Sequence, residues 1–155
     1  MKAETGRDDD LGDVLGFMRA LWAVDHALRG ASKRMKSRVG LSGPQRLAVR
    51  IVGRFPNAAA GEIADVLHVH PSTLTGVFAR LVRSGLVHRK ADPEDGRRAR
   101  FELTDKGRQA NRTRAGTVED VVRRVLAELP NVEVAVARKV LERLAGELAL
   151  ETSRD

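Results

Sequence analysis

The chain has no cysteine and no tyrosine, and only one tryptophan among its 155 residues. Without a thiol it can form no disulfide, give no thiolate to a metal and sense no oxidant through a cysteine. Aromatic residues make up 3% of the chain, poor material for a platform on which single-stranded nucleic acid stacks. No stretch approaches the ~20 apolar residues that span a bilayer. Residues 1–5 lead into Asp8-Asp9-Asp10 without the apolar segment of a secretory signal. The expected location is the cytoplasm, with no membrane partner. A glycine-rich phosphate loop and a nucleophile motif are also missing, so no enzymatic chemistry is expected. The one short-range histidine pair is His68 and His70. Spacing of two does not put both on one helix face. Glu62 or Asp65 could complete a zinc site with them, but solvated turn histidines fit the pattern better. Neither a metal nor a cofactor is expected.

What the chain does have is positive charge, in one place. Twenty-eight Lys and Arg face 21 Asp and Glu, a net +7, which draws the chain towards polyanions without choosing among them. Between residues 71 and 114 there are eleven bases against five acids. Nearly all the excess lies there, whereas the first 13 residues are acidic.

Hydrophobic spacing organises the chain. Leu11, Val14, Leu15, Met18, Leu21, Trp22, Leu28 and Met35 recur at three and four, which predicts a long amphipathic helix ending near Gly40. Ser42-Gly43-Pro44-Gln45 reads as the start of a second helix, which runs to the Phe55-Pro56-Asn57 breaker. A short helix over 60–67, a turn at His68-Val69-His70 and a helix from Pro71 to Arg83 follow. Ala59 and His70 are poor capping residues for those last two. Residues 86–90 and 99–103, joined by Asp92-Pro93-Glu94-Asp95-Gly96, predict a β-hairpin. Thr104 caps a helix expected to reach Leu129, with a kink or restart where Thr117 and Asp120 can form a capping pair. A last amphipathic helix is expected over 132–149. The fold class is mainly α with a small β-hairpin wing: a winged helix-turn-helix flanked by dimerisation helices. The expected organisation is an acidic tail over 1–10, a dimerisation helix over 11–40, a DNA-binding lobe over 41–104 and C-terminal dimerisation helices over 105–150.

Two elements carry the chemistry. In the 71–83 helix, Leu74, Val77, Phe78 and Leu81 form a stripe for burial, which leaves Ser72, Thr73, Thr75, Gly76, Ala79, Arg80 and Arg83 facing out. Small hydroxyl residues in a first turn allow close approach to bases and phosphates, and arginine further along can reach a phosphate or a guanine edge. The plain alternative is an ordinary solvated face. In the hairpin, Asp95-Gly96-Arg97-Arg98 puts guanidinium groups at the tip of a narrow projection, suited to the focused negative potential of a minor groove. Asp95 would be repelled by DNA, so its expected role is to orient Arg97. The alternative here is a surface hairpin with scattered ion pairs.

With these motifs on the page, the sequence resembles the MarR family of bacterial regulators. The resemblance is carried by Gly61-Glu62-Ile63-Ala64, Pro71-Ser72-Thr73-Leu74-Thr75, Leu81-Val82-Arg83-Ser84-Gly85-Leu86-Val87, Asp92-Pro93-Glu94-Asp95-Gly96-Arg97-Arg98 and Leu103-Thr104-Asp105-Lys106-Gly107. It implies a homodimer through the first and last two helices. It also implies binding to a pseudo-palindromic duplex, and repression released by a small molecule held between interface and lobe. Gly76 departs from the family, which often carries a polar or basic residue there; glycine would instead permit close backbone approach. Trp22, Asp25, His26 and Arg29 lie on one face of the first helix and could line a pocket for an anionic or aromatic ligand. They could equally be a core tryptophan with an ion-paired rim. Some urate-responsive relatives also have a Trp in the first helix, but Gln45-Arg46 stands where they have an acid, so urate is not expected. A ligand-independent or protein-partner-controlled DNA-binding module is the alternative function.

Overall fold

The computed structural model describes residues 11–152, so the expected acidic tail over 1–10 lies outside the described residues. Helix α1 (Gly12–Val39) stops where Gly40 turns left-handed at φ 77°, its N–H donating to Lys36 O, a conformation glycine takes without strain. Helix α2 (Gly43–Arg54) starts with the Ser42 N–H donating to Gln45 Oε1 at 3.0 Å. Ser32 of α1 accepts from the Gly43 N–H at 2.7 Å and ties the two helices together. Strand β1 (Ala58–Ala59) leads into α3 (Ala60–Leu67) and α4 (Pro71–Arg83). Strands β2 (Val87–Ala91) and β3 (Ala99–Leu103) form the hairpin, and α5 (Asp105–Arg112), α6 (Val118–Ala127) and α7 (Asn131–Thr152) complete the chain.

The sheet is antiparallel in the order β1-β3-β2, with Ala58 opposite Phe101 and Val87 opposite Leu103. The two-residue β1 was not legible in a sequence of three small residues. It exists because β3 offers it a partner edge. Leu41, Ala48, Val49, Val52, Ile63, Ala64, Leu74, Phe78, Leu81, Leu86, Val87, Phe101 and Leu103 close over one another as a single core inside α2–α5 and the sheet.

Helix α5 belongs to that lobe, beyond the boundary expected at 104. Thr104 fastens it: its hydroxyl accepts from the Gly107 N–H at 2.9 Å and donates to Gly85 O at 2.6 Å. Gly107 sits so close that a Cβ there would lie 2.0 Å from the Leu86 carbonyl oxygen. The helix expected to run to Leu129 is broken into α5 and α6. The expected Thr117–Asp120 capping pair does not form, because the buried Thr117 hydroxyl turns back to Arg114 O at 2.6 Å. Asp120 instead pairs with Arg123 at 3.0 Å.

What occupies the break is Arg46 of α2, which is 1% exposed. Its guanidinium donates to the carbonyls of Ala110 and of Thr113, the latter at 2.5 Å, and grips Glu119 of α6 at 2.5 and 3.0 Å. A cation at the C-terminal carbonyls of α5 also complements the helix dipole. Burial alone would raise the Glu119 carboxyl, but hydrogen bonding from Arg46 and the charges of Arg46, Arg50 and Arg114 hold it below the usual range.

The terminal helices differ from the lobe. Val14, Leu15, Phe17 and Leu28 on α1, Val121 and Val125 on α6, and Val136, Val140 and Leu141 on α7 are all exposed in the single chain. Among the described residues no helix is long and apolar enough to cross a membrane.

Candidate nucleic-acid interface

Helices α3 and α4 with the turn between them form a helix-turn-helix. His68 ends α3 in the left-handed region at φ 50°, which makes it a turn residue. Among the described residues no three His, Asp or Glu side chains cluster as metal ligands, so the structure does not assemble the zinc alternative at His68, His70, Glu62 and Asp65. The two weak caps are solved by side chains. The Ala59 N–H donates to Glu62 Oε2 at 2.6 Å, and the Ser72 N–H to His70 Nδ1 at 3.3 Å.

Leu74, Phe78 and Leu81 of α4 are buried and Val77 is half-buried, as the spacing requires. Phe78 stacks on Phe101 of β3 with ring centroids 4.0 Å apart and planes 19° off parallel. That stack packs the helix against the root strand of the wing. Ser72, Thr73, Thr75, Gly76, Arg80 and Arg83 are all exposed on the other face. A Cβ at Gly76 would meet nothing within 4 Å. Packing therefore does not demand glycine there, and the vacant surface it leaves is on the outward side.

The wing is held at its root. Asp92 is buried, accepts from the Glu94 N–H at 2.9 Å and pairs with Arg100 Nε at 2.8 Å. Arg100 also donates to Asn57 O at 3.1 Å. The Glu94 N–H, against the opposing effect of burial, and then Arg100 hold the Asp92 carboxyl below its ordinary value. This anchor escaped the sequence reading; an Asp and an Arg bracketing the turn were the available signal. Further along the ribbon, Lys90 pairs across to Glu102.

At the tip, the expected Asp95–Arg97 side-chain contact is corrected. Asp95 Oδ1 accepts from the Arg97 backbone N–H at 3.0 Å, and the Arg98 N–H donates to Asp95 O at 2.9 Å. A short carboxylate closes the tight turn onto its own backbone, so Asp95 sets the direction of the chain rather than of the guanidinium. Among the described residues Arg80, Arg83, Arg97 and Arg98 have no ion-pair partner, unlike the bases at the wing's root. They are cations left available to an outside anion.

The first-helix group is not brought into a pocket. Trp22 is 67% exposed, so it is not part of the core that this chain forms by itself. Arg29 pairs with Asp25 at 2.8 Å on an open face, and His26 is exposed beside them. A cleft of about 480 Å³ lies elsewhere, between α2, β1 and α3, with Phe55, Val66 and Arg100 among its walls.

The sequence profile of the MarR family matches residues 41–99. The chain is 35% identical over 108 residues to the HTH-type transcriptional regulator TtmR of Methylorubrum extorquens, and covers 54% of that protein against 68% of itself. It thus spans about half the length of that relative. It is 28% identical over 133 residues to an HTH-type transcriptional repressor of Mycobacterium tuberculosis, covering 86% of this chain and 94% of that one. Among solved structures it is similar to the PcaV transcriptional regulator of Streptomyces coelicolor in complex with its natural ligand. That match has 25% identity and a TM-score of 0.65, over 84% of this chain and 89% of that one. The S. aureus MepR–DNA complex shares the fold at 16% identity and a TM-score of 0.71, over 85% and 97%.

Proposed function

The chain belongs to the MarR family, and from that premise we propose that it acts in the cytoplasm as a homodimeric regulator of transcription bound to a pseudo-palindromic DNA duplex. The observation that carries the reading is the α4 face, with its hydroxyls and ion-pair-free arginines beside a wing anchored by Asp92 and Arg100. Helix α4 lies in the major groove, with Ser72, Thr73, Thr75 and Gly76 close to base edges and Arg80 and Arg83 on base or phosphate. Arg97 and Arg98 reach the minor groove. The exposed apolar faces of α1, α6 and α7 are of the kind a second copy covers, since soluble monomers rarely leave such contiguous area open. The regulator acts as a repressor that an anionic or aromatic small molecule releases, held at Trp22, Asp25, His26 and Arg29 once a second copy closes that face.

Footprinting on duplex flanking the protein's own coding region tests this. Protection of two half-sites about one helical turn apart is expected, and absence of protection on any duplex would sink the reading. Trp22, the sole tryptophan, reports the ligand arm directly, because its fluorescence should shift when an aromatic carboxylate is titrated in. One observation favours a second reading, of a module controlled without a ligand or by a protein partner: the Trp22 face is open and Asp25 and Arg29 satisfy each other. Fluorescence and DNA release that both ignore a panel of aromatic acids would favour it.

A further inference from the structure

The first turn of α4 commits its hydroxyl protons before any DNA arrives. His70 Nδ1 accepts from the Ser72 backbone N–H at 3.3 Å, and an amide can only donate, so Nδ1 carries the lone pair and the ring proton sits on Nε2. Ser72 Oγ lies 2.7 Å from the same Nδ1. Against an unprotonated nitrogen, the hydroxyl must be the donor. Its proton therefore points back at His70, and only its lone pairs face outward. Thr75 does the same one turn on, with its Oγ1 donating to Pro71 O at 3.3 Å. Two of the three hydroxyls on this face are thus presented as acceptors. Among the described residues the Thr73 hydroxyl has no such internal acceptor.

We propose that His70 is a specificity-positioning residue, which turns Ser72 into an acceptor that selects a base bearing an amino group on its major-groove edge. It rests on the reading of α4 as the recognition helix. The chemistry decides the class of base. In the major groove cytosine N4 and adenine N6 are donors, whereas guanine N7 and O6 and thymine O4 are acceptors. An outward lone pair bonds the first set and repels the second. For Ser72 to serve guanine, thymine or a phosphate, it must first give up its bond to His70. Thr75, in the same state, reinforces the choice at the neighbouring position, and Gly76 leaves room for the base edge to come close.

The test starts with selection from a randomised duplex library using the unaltered protein. It is expected to return a preferred base pair at a position where Ser72→Ala relaxes the choice, and that pair holds one adenine or cytosine. Duplexes are then made with purine in place of that adenine, or 2-pyrimidinone in place of that cytosine, each lacking only the amino group. Affinity of the unaltered protein should fall about tenfold, the size of one good base contact, and the fall should vanish in Ser72→Ala. His70→Ala frees the hydroxyl to rotate, so the ratio of affinities with and without the amino group should shrink towards one. A merely structural cap would weaken all duplexes alike and leave that ratio intact. Indifference of the unaltered protein to the missing amino group, which needs no variant to fold, overturns the proposal, as does a Ser72-dependent loss of affinity that appears instead when an acceptor of the paired guanine or thymine is removed. A protein that binds no duplex above random sequence overturns the recognition-helix reading itself and this proposal with it.

Discussion

In the lobe, apolar side chains from α2, α3, α4 and the sheet close over each other until Ala48, Val49, Ile63 and Leu81 have no exposed surface left. On α6 and α7, side chains of the same kind stay open: Val125 is 53% exposed and Leu141 49%. Both regions are amphipathic helices, so pattern alone does not separate them. The difference is geometric. The lobe's helices and strands pack on one another from several sides, whereas those faces of α6 and α7 have no described element over them. The lobe closes over its own apolar surface; the terminal helices leave theirs open. Arg46 is the joint between them, reaching from α2 past the end of α5 to Glu119 on α6.

The comparison breaks most visibly if the open faces are charged. Val125→Glu with Leu141→Glu should convert a dimer into a species of 17.0 kDa and lower operator affinity by about 10²–10⁴, the loss of a second linked site, while the lobe stays folded. Sedimentation and a binding isotherm on one duplex check it; an unaltered wild-type protein that is already monomeric at micromolar concentration would refute it.

Next comes the joint. Arg46→Ala leaves a half-buried carboxylate and several helix-end carbonyls without their donor, and should destabilise by about 3–5 kcal/mol, the usual effect of halving a buried pair. Acid should act in the same direction. Glu119 and Asp92 both titrate below their ordinary range when folded. Their contribution is therefore present above about pH 4 and is lost as pH falls through the folded values. Denaturant melts of wild type and Arg46→Ala at pH 7 and pH 3 should converge in acid as far as Glu119 is concerned.

Two glycines sharpen the contrast inside the lobe. Gly107→Ala drives a Cβ into the Leu86 carbonyl and should cost about 2 kcal/mol, a Tm drop of several degrees. Gly76→Ala meets nothing and should stabilise α4 by up to about 1 kcal/mol while weakening DNA binding. A parallel response of the two in stability would contradict the packing described here.

The smallest effect is at the wing tip. Arg97→Ala removes one cation per subunit, so the slope of log K against log salt should flatten by roughly 1–2 units across a dimer. Asp95→Ala removes a negative charge, and electrostatics alone says binding should tighten. Loss of its bond to the Arg97 N–H loosens the turn instead, and a weakening of about two- to fivefold is expected. Tighter binding by Asp95→Ala would reduce the tip to a surface loop.

The α4 stripe, the hairpin and the exposed hydroxyl and arginine face of α4 could be read from the sequence because each is local: a period of three and four, a turn composition, a run of charge. Arg46 looked like any surface base, since nothing within a few residues of it predicts burial against a helix 73 positions away. His70 looked like a poor cap because capping preferences score the residue and not the reach of its ring nitrogen. The pattern of an amphipathic helix permits Trp22 as core, but periodicity gives a face and not what covers it.

The sequence by itself determined where the helices and the hairpin lie, which face of α4 turns inward, and that no thiol is present to react, because spacing, turn residues and composition act over short range. Tertiary structure alone decided that α5 joins the lobe, that Asp92 and Arg100 rather than Asp95 brace the wing, and that Arg46 links lobe to terminal helices. Those outcomes depend on atoms that meet only after the chain has closed, where burial raises the cost of every unpaired charge and so selects which partners must find each other.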